Sequence, residues 1–376
     1  MPAASGVTPS ILGPAVLSRP ATMAFYLPQF HPISVNDEAW GPGFTEWHNV
    51  VAARPRFTGH RQPVLPGQLG FYDLRLDETR QAQQSMALAH GIDGFCWYHY
   101  WFSGQRILHE PFDRMRRDPL ETLPFMLCWA NEAWTRQWSG NSGSVIVEQR
   151  HSDTDDDNHI KFLLDVFADP SYVRLDDKPV FMVYQPMKLP DPGRTFDRWR
   201  SAADQSGFPG LCLLGVESFR RRIRDPGALG LDGVVEQQPD LALVRPPWRA
   251  VPRLVASRLG LAPRYPRLIR FPYETLVRRA LDRMGSRQDP SRYSTVCTGW
   301  DNSPRRQRGA VVITDASPER YGDWLAQTLW ETKAPMVFIN AWNEWAEGAH
   351  LEPDVIHGAA YLEAHADAVH RVVARR

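Results

Sequence analysis

The chain has 376 residues, and its 43 Lys+Arg balance 43 Asp+Glu to a formal charge of zero. Neutrality excludes a general nucleic-acid binder, whose surface has to be strongly basic. Cys96, Cys128, Cys212 and Cys297 lie far apart with no Cys/His ligand spacing, which excludes zinc fingers and small disulfide scaffolds and leaves four buried small hydrophobes.

In chain order, residues 1–20 are rich in Ala, Pro, Ser and Gly and hold no basic residue before Arg19. They are expected to form a disordered leader, not a secretory signal, and the expected location is the cytoplasm. No run approaches the roughly 18 apolar residues that a spanning helix needs. Eight short runs rich in β-branched and aromatic residues follow: Met23–Leu27, Ile92–Tyr98, Pro124–Trp129, Pro179–Tyr184, Leu211–Val216, Gly233–Glu236, Ser294–Trp300 and Pro335–Asn340. Continuous hydrophobicity suits parallel strands covered on both faces. Helix-length segments such as Asp77–His90, Asp155–Phe167, Pro192–Ser206, Pro318–Glu331 and Ala359–Ala374 lie between or after them. Eight strands alternating with helices predict an α/β fold, a single-domain (β/α)8 barrel over 21–376. A doubly wound open sheet would want a Gly-rich turn after its first strand, where this chain has Pro28-Gln-Phe-His31.

Two connections are long. Gln29–Leu76 carries Trp40, Glu46 and Trp47; the stretch 239–290 is basic, with eleven Arg between Arg245 and Arg287 against Glu274 and Asp282. It is expected to be an insertion, either solvated or, through 245–287 and its Trp248, Tyr265, Phe271 and Tyr273, in contact with an anionic inner-membrane surface or a lipid-linked glycan.

Barrel active sites lie at the C-terminal ends of the strands. Those ends and the first loop supply Tyr26, Gln29, His31, Glu46, Trp47, Trp97, Tyr98, His99, Trp129, Asn131, Glu132, Tyr184, Glu236, Trp300, Asp301, Trp342 and Asn343. Carboxylates, amides and flat aromatic faces together match an oligo- or polysaccharide, whose hydroxyls need polar partners and whose C–H faces stack on rings. The sharpest signal is Asn340-Ala-Trp-Asn-Glu344-Trp-Ala-Glu347-Gly348. Two Glu at i and i+3 share one face of a helical turn, and two close carboxylates, one protonated and one ionised, suit retaining glycoside chemistry. Asp153-Thr-Asp-Asp-Asp157 is a candidate metal-binding run, but it precedes a helix and is explained by N-terminal capping. HExxH, P-loop, GxSxG and GxGxxG motifs are absent from the sequence, so no metal and no cofactor is expected.

The strings Ala24-Phe-Tyr-Leu-Pro-Gln-Phe-His31, Gly43-Phe-Thr-Glu-Trp47, Gly91-Ile-Asp-Gly-Phe95, Trp97-Tyr-His-Tyr-Trp101, Trp129-Ala-Asn-Glu132 and Trp342-Asn-Glu-Trp-Ala-Glu-Gly348 resemble the WbsX group of glycoside hydrolase family 99-like proteins. That group is associated with O-antigen and other cell-surface polysaccharide synthesis. The resemblance implies a barrel acting on α-mannoside-type linkages without a metal. It implies Glu344 as the base at the sugar 2-hydroxyl, giving a 1,2-anhydro intermediate, and Glu347 as the general acid. Ala346 stands where the hydrolases are expected to have His. Three readings stay open: a retaining hydrolase, a glycosyltransferase of polysaccharide assembly, and a non-catalytic carbohydrate-binding barrel.

Overall fold

The structure is a computed structural model, and it describes residues 18–135, 144–217, 222–241, 268–286, 288–306 and 308–375. Eight parallel strands close on themselves: β1 (Ala21–Tyr26), β2 (Gly94–Phe102), β3 (Phe125–Trp129), β4 (Lys178–Val183), β5 (Cys212–Glu217), β6 (Gly233–Glu236), β7 (Arg292–Cys297) and β8 (Met336–Asn340). Each pairs with its sequence neighbour, and β1 pairs with both β2 (Met23 opposite Gly94) and β8 (Ala21 opposite Met336), which completes the cylinder. Every residue of β1, β3, β5, β6 and β8 is buried, as a sheet with helices outside and a filled interior requires. The fold is the expected (β/α)8 barrel, and all four cysteines are free and buried.

The first loop holds α1 (Trp47–Ala52). The outer layer is built from α2 (Asp77–Ala89), α3 (Glu110–Met115), α4 (Asp153–Phe167), α5 (Pro192–Gln205), α6 (Tyr273–Gly285), α7 (Pro318–Glu331) and α8 (Ala360–Val373). Their starts are written in the sequence: Ser152, Asp191 and Ser317 accept the backbone N–H of Asp155, Arg194 and Arg320, and Pro opens α5 and α7. The 153–157 acidic run is engaged by protein groups throughout. Asp155 accepts from Trp101 Nε1 at 2.9 Å, Asp156 from Thr195 Oγ1 at 2.7 Å, and Asp153 and Asp157 pair with Arg198 on α5.

Most of the basic stretch that attracts a membrane reading, 242–267 with Trp248 and Tyr265, lies outside the described residues. Its remainder is integrated into the barrel. Leu268–Pro272 pairs in parallel with Ala310–Thr314, and α6 takes the place between β6 and β7, its Tyr273 hydroxyl donating to the Cys297 carbonyl at 2.6 Å. Arg283 is half-buried and pairs with Glu217, Glu236 (3.0 Å) and Asp240 (3.1 Å), so this arginine is engaged within the fold, and Tyr273 is fully buried.

Candidate active site

After β8 the chain forms a short strand (Asn343–Glu344), a 3₁₀ turn (Trp345–Glu347) and a returning strand (Ala349–His350) paired to the first. A 3₁₀ turn has three residues per turn, so positions i and i+3 eclipse and Glu344 and Glu347 share one side. The turn is fixed on each flank. Asn343 accepts the Leu27 N–H at 2.8 Å and donates to its carbonyl at 3.0 Å, tying the turn to the end of β1. Gly348 closes the turn at φ 60°, and an added Cβ would lie 3.1 Å from the Asp301 nitrogen, so the position demands glycine twice over. Trp345 stacks on His350 (3.9 Å between centroids) and donates to Glu352 at 2.6 Å. Glu352 also accepts from Tyr72 (2.7 Å) and Gln83 (2.6 Å), and burial pushes it up to about 7.

Both carboxylates meet Arg305, which descends from the loop after β7 and is 7% exposed. One guanidinium lies 2.9 Å from Glu46, 3.0 Å from Glu344 and 3.3 Å from Glu347. Three carboxylates around one cation leave the cluster two charges negative if all ionise, and burial makes that costly. Burial pushes Glu344 up to about 8 and raises Glu347, while Arg305 pulls both the other way. The cluster therefore retains a proton near neutral pH, a property of the pair as a unit.

Glu344 and Glu347 face a cavity of about 60 Å³ at the barrel mouth, lined also by Tyr98, Tyr184, Gln237, Gln238, Trp300 and Asn340. Tyr98 and Tyr184 meet edge to face, and Phe25 stacks on Tyr98 from the barrel interior. Gln29 donates to the Tyr100 hydroxyl at 2.8 Å, and Glu344 adds to the burial that raises this phenol. Asp301, next to Trp300, accepts from His60 (2.7 Å) and Gln62 (2.6 Å), and its own N–H donates to the Glu347 carbonyl at 2.7 Å. The structure thus brings together Gln29, Glu46, Tyr98, Tyr184, Trp300, Asp301, Glu344 and Glu347 from the sequence reading. It adds Arg305 and Gln238, which that reading lacks. Nothing local separates Arg305 from Arg306 and Arg308; the only available signal is that two buried Glu require a cation.

The other expected residues sit elsewhere, and strand alternation is the main reason. Tyr26, Trp97, His99 and Trp129 occupy the outward-pointing positions of β1, β2 and β3. Tyr26 packs on Trp97 and donates to Gln83 of α2 at 2.6 Å. Trp97 meets Phe112 of α3. His99 bonds His159 of α4 at 3.0 Å, and burial lowers it to about 3. Trp129 packs on His159 and on Trp199 of α5. Glu236 belongs to the Arg283 and Arg292 network. Glu132 pairs with Lys188 on the surface. Asn131 braces the Gln185 backbone, donating at 2.9 Å and accepting at 2.8 Å. Trp47 supports the turn through Phe30 and Trp345, and Trp342 is fully buried against Phe95. His31 is 1% exposed and lowered to about 4 by burial, which makes it a core histidine.

Known proteins agree with this picture of the fold. Two solved structures superpose over nearly the whole chain: a glycoside hydrolase-like protein (13% identity, 94% of this chain and 95% of that one, TM-score 0.58), and the glycoside hydrolase family 99 endo-alpha-mannosidase from Bacteroides thetaiotaomicron in complex with bis-tris-propane (14%, 93% and 97%, TM-score 0.56). WxcX from Xanthomonas campestris pv. campestris is 43% identical over 359 residues in strain B100 and 44% identical over 362 residues in a second strain. Each alignment covers 94% of this chain and 50% of WxcX, so the chain spans about half the length of the curated relatives it matches. Residues 22–365 match the family described as glycosyltransferase WbsX. With all eight barrel strands, from Thr22 of β1 onward, and the start of α8 inside that match, the chain belongs to the WbsX family, a carbohydrate-active enzyme family on a (β/α)8 barrel.

Proposed function

We propose that the chain makes or breaks glycosidic bonds of a cell-surface polysaccharide, with Glu347 as general acid and Glu344 as general base. The observation that carries this reading is the pair of buried Glu344 and half-buried Glu347 sharing the Arg305 guanidinium at the barrel mouth. In the first step, Glu344 accepts the proton of the sugar 2-hydroxyl as O2 attacks C1. The C1–O bond breaks, and the departing oxygen takes the proton of Glu347. In the second, Glu347 removes a proton from the incoming hydroxyl, that oxygen bonds C1 as the C1–O2 bond breaks, and O2 recovers its proton from Glu344. A sugar 2-hydroxyl donating to Glu344 favours its ionised form and so leaves the retained proton on Glu347. Water as the incoming group gives hydrolysis; a sugar hydroxyl gives transfer. The endo-alpha-mannosidase fold supports α-mannosides as the first substrates to try.

The family description favours transfer as the second reading. It differs only in the second step, so the carboxylate roles stand in both. Incubation of the protein with α-mannosides and O-antigen fragments in ¹⁸O-water, with and without nucleotide sugars, followed by mass spectrometry, separates them. Label in a reducing-end product identifies hydrolysis, and mass gain by one sugar without label identifies transfer. Absence of both would leave the reading of a non-catalytic, carbohydrate-binding barrel.

A further inference from the structure

Glu352 is 2% exposed and lies against the catalytic turn, and the side chains around its carboxyl are donors. Trp345 Nε1 (2.6 Å) and the Tyr72 hydroxyl (2.7 Å) reach one oxygen, and Gln83 Nε2 (2.6 Å) reaches the other. An indole nitrogen can only donate. The Gln83 carbonyl oxygen takes the Tyr26 hydroxyl at 2.6 Å, which turns the amide nitrogen toward Glu352. Three hydrogens aimed at two oxygens suit a carboxylate; a protonated carboxyl would have to turn the Tyr72 O–H away. Burial raises Glu352, and these donors hold it down. Among the described residues no cation lies within ion-pair distance of it. Arg80 on α2 is taken by Asp77 (2.6 Å) and Glu121 (2.8 Å), and His350 by Asp354 (3.2 Å).

A buried carboxyl without a counter-ion is costly to keep, and here it gains no contact with the space that Glu344 and Glu347 face. Neither Glu352 nor any of its three donors lines that cavity. Its hold is on the turn itself, because Trp345 stands between Glu344 and Glu347 in the chain. The far ends of the network are fixed in the fold: Gln83 sits in α2, and the Tyr72 carbonyl accepts the Trp47 indole N–H at 2.9 Å. A 3₁₀ turn has poor hydrogen-bond geometry of its own, so an outside anchor decides where its carboxylates stand.

We propose that Glu352 is a positioning residue for the reacting pair: by gripping Trp345 it locks the catalytic turn to α2 and the first loop, and so sets the placement of Glu344 and Glu347 without touching substrate. The proposal rests on those two Glu as the reacting groups. Glu352→Ala removes the anchor, and Trp345→Phe removes the same hydrogen bond from the turn side while keeping a ring against His350. On a glycoside that the unaltered protein turns over, each should lower kcat about 10²-fold, the cost of a ~1 Å misplacement, with KM within about three-fold. The double variant should be no slower than the slower single one, because both cut one bond. Glu352→Gln, which keeps an acceptor oxygen, should recover part of the loss. Multiplying losses, or a raised KM with kcat kept, would overturn the proposal. A second measurement needs no turnover and uses whichever of the two variants folds. The melting-temperature gain of Glu344→Gln at pH 8 over pH 5 reports how firmly the turn keeps Glu344 in its buried place. In the Glu352→Ala or Trp345→Phe background that gain should largely disappear, and a gain of undiminished size would overturn the anchor. If no glycoside is turned over by any of these proteins while the gain disappears, the anchor stands and the catalytic reading falls.

Discussion

Glu344→Gln should make the protein inactive and, above neutral pH, more stable. Burial carries Glu344 from its ordinary 4.5 to about 8. The folded state therefore keeps a proton that the unfolded chain gives up near 4.5, and stability declines as pH rises between those two values. At about 1.36 kcal/mol per pKa unit, the whole interval is worth at most about 5 kcal/mol, and relaxation and water entry reduce it to about half. Gln carries no such proton, so its advantage is near zero at pH 5 and full at pH 8. Unfolding entropy of about 2.1 cal/mol/K per residue gives the chain about 0.8 kcal/mol/K, so the advantage at pH 8 is about 3–6 °C in Tm. Differential scanning calorimetry of both proteins at pH 5, 6.5 and 8 reads it. A Tm difference that does not change with pH, or a Gln variant less stable at pH 8, would refute the claim that the fold holds this carboxyl protonated.

Three further outcomes follow from the same geometry. Arg305→Gln strips the counter-ion from two buried carboxylates and the half-buried Glu347; it should cost about 3–5 kcal/mol in denaturant melts, and shift the activity profile to higher pH because Arg305 holds Glu344 and Glu347 down. Glu347→Gln should lower turnover of unactivated glycosides by about 10²–10⁴ with saccharide binding kept within a few-fold, and a variant above half of wild-type activity would sink the acid assignment. Trp129→Ala, on the outer face of β3, should lose about 3–5 kcal/mol of stability, while any protein that remains folded keeps its saccharide affinity; a selective loss of binding would contradict the outward placement.

The eight strands were legible because each is covered on both sides, so their hydrophobic runs stand out whole; β6 begins and ends where the sequence places it. The start of α7 was legible at Pro318, just after its Ser317 cap, whereas α4 begins at Asp153, two residues before the sequence reading places it, with Ser152 as its cap. The carboxylate pair was legible from its spacing, and although the turn is 3₁₀ instead of α, three residues still bring the two Glu to one side. What misled was taking every polar or aromatic residue at a strand end as rim. Strands alternate, and in a two-sided sheet both faces are apolar, so no pattern in Trp97-Tyr-His-Tyr-Trp101 says which residues point inward. Tyr98 and Tyr100 do, while Trp97 and His99 pack on helices. Arg305 was hidden for another reason: its partners Glu46 and Glu344 are 259 and 39 residues away, and a counter-ion supplied through tertiary packing leaves no local mark.

The most direct test of the central claim is a crystal structure of Glu347→Gln protein soaked with an α-linked mannotrisaccharide. The account predicts the glycosidic oxygen within about 2.6–3.2 Å of residue 347 and the 2-hydroxyl of the same sugar at that range from Glu344, with the chain passing Trp300. A saccharide bound with no oxygen in reach of either residue would contradict it.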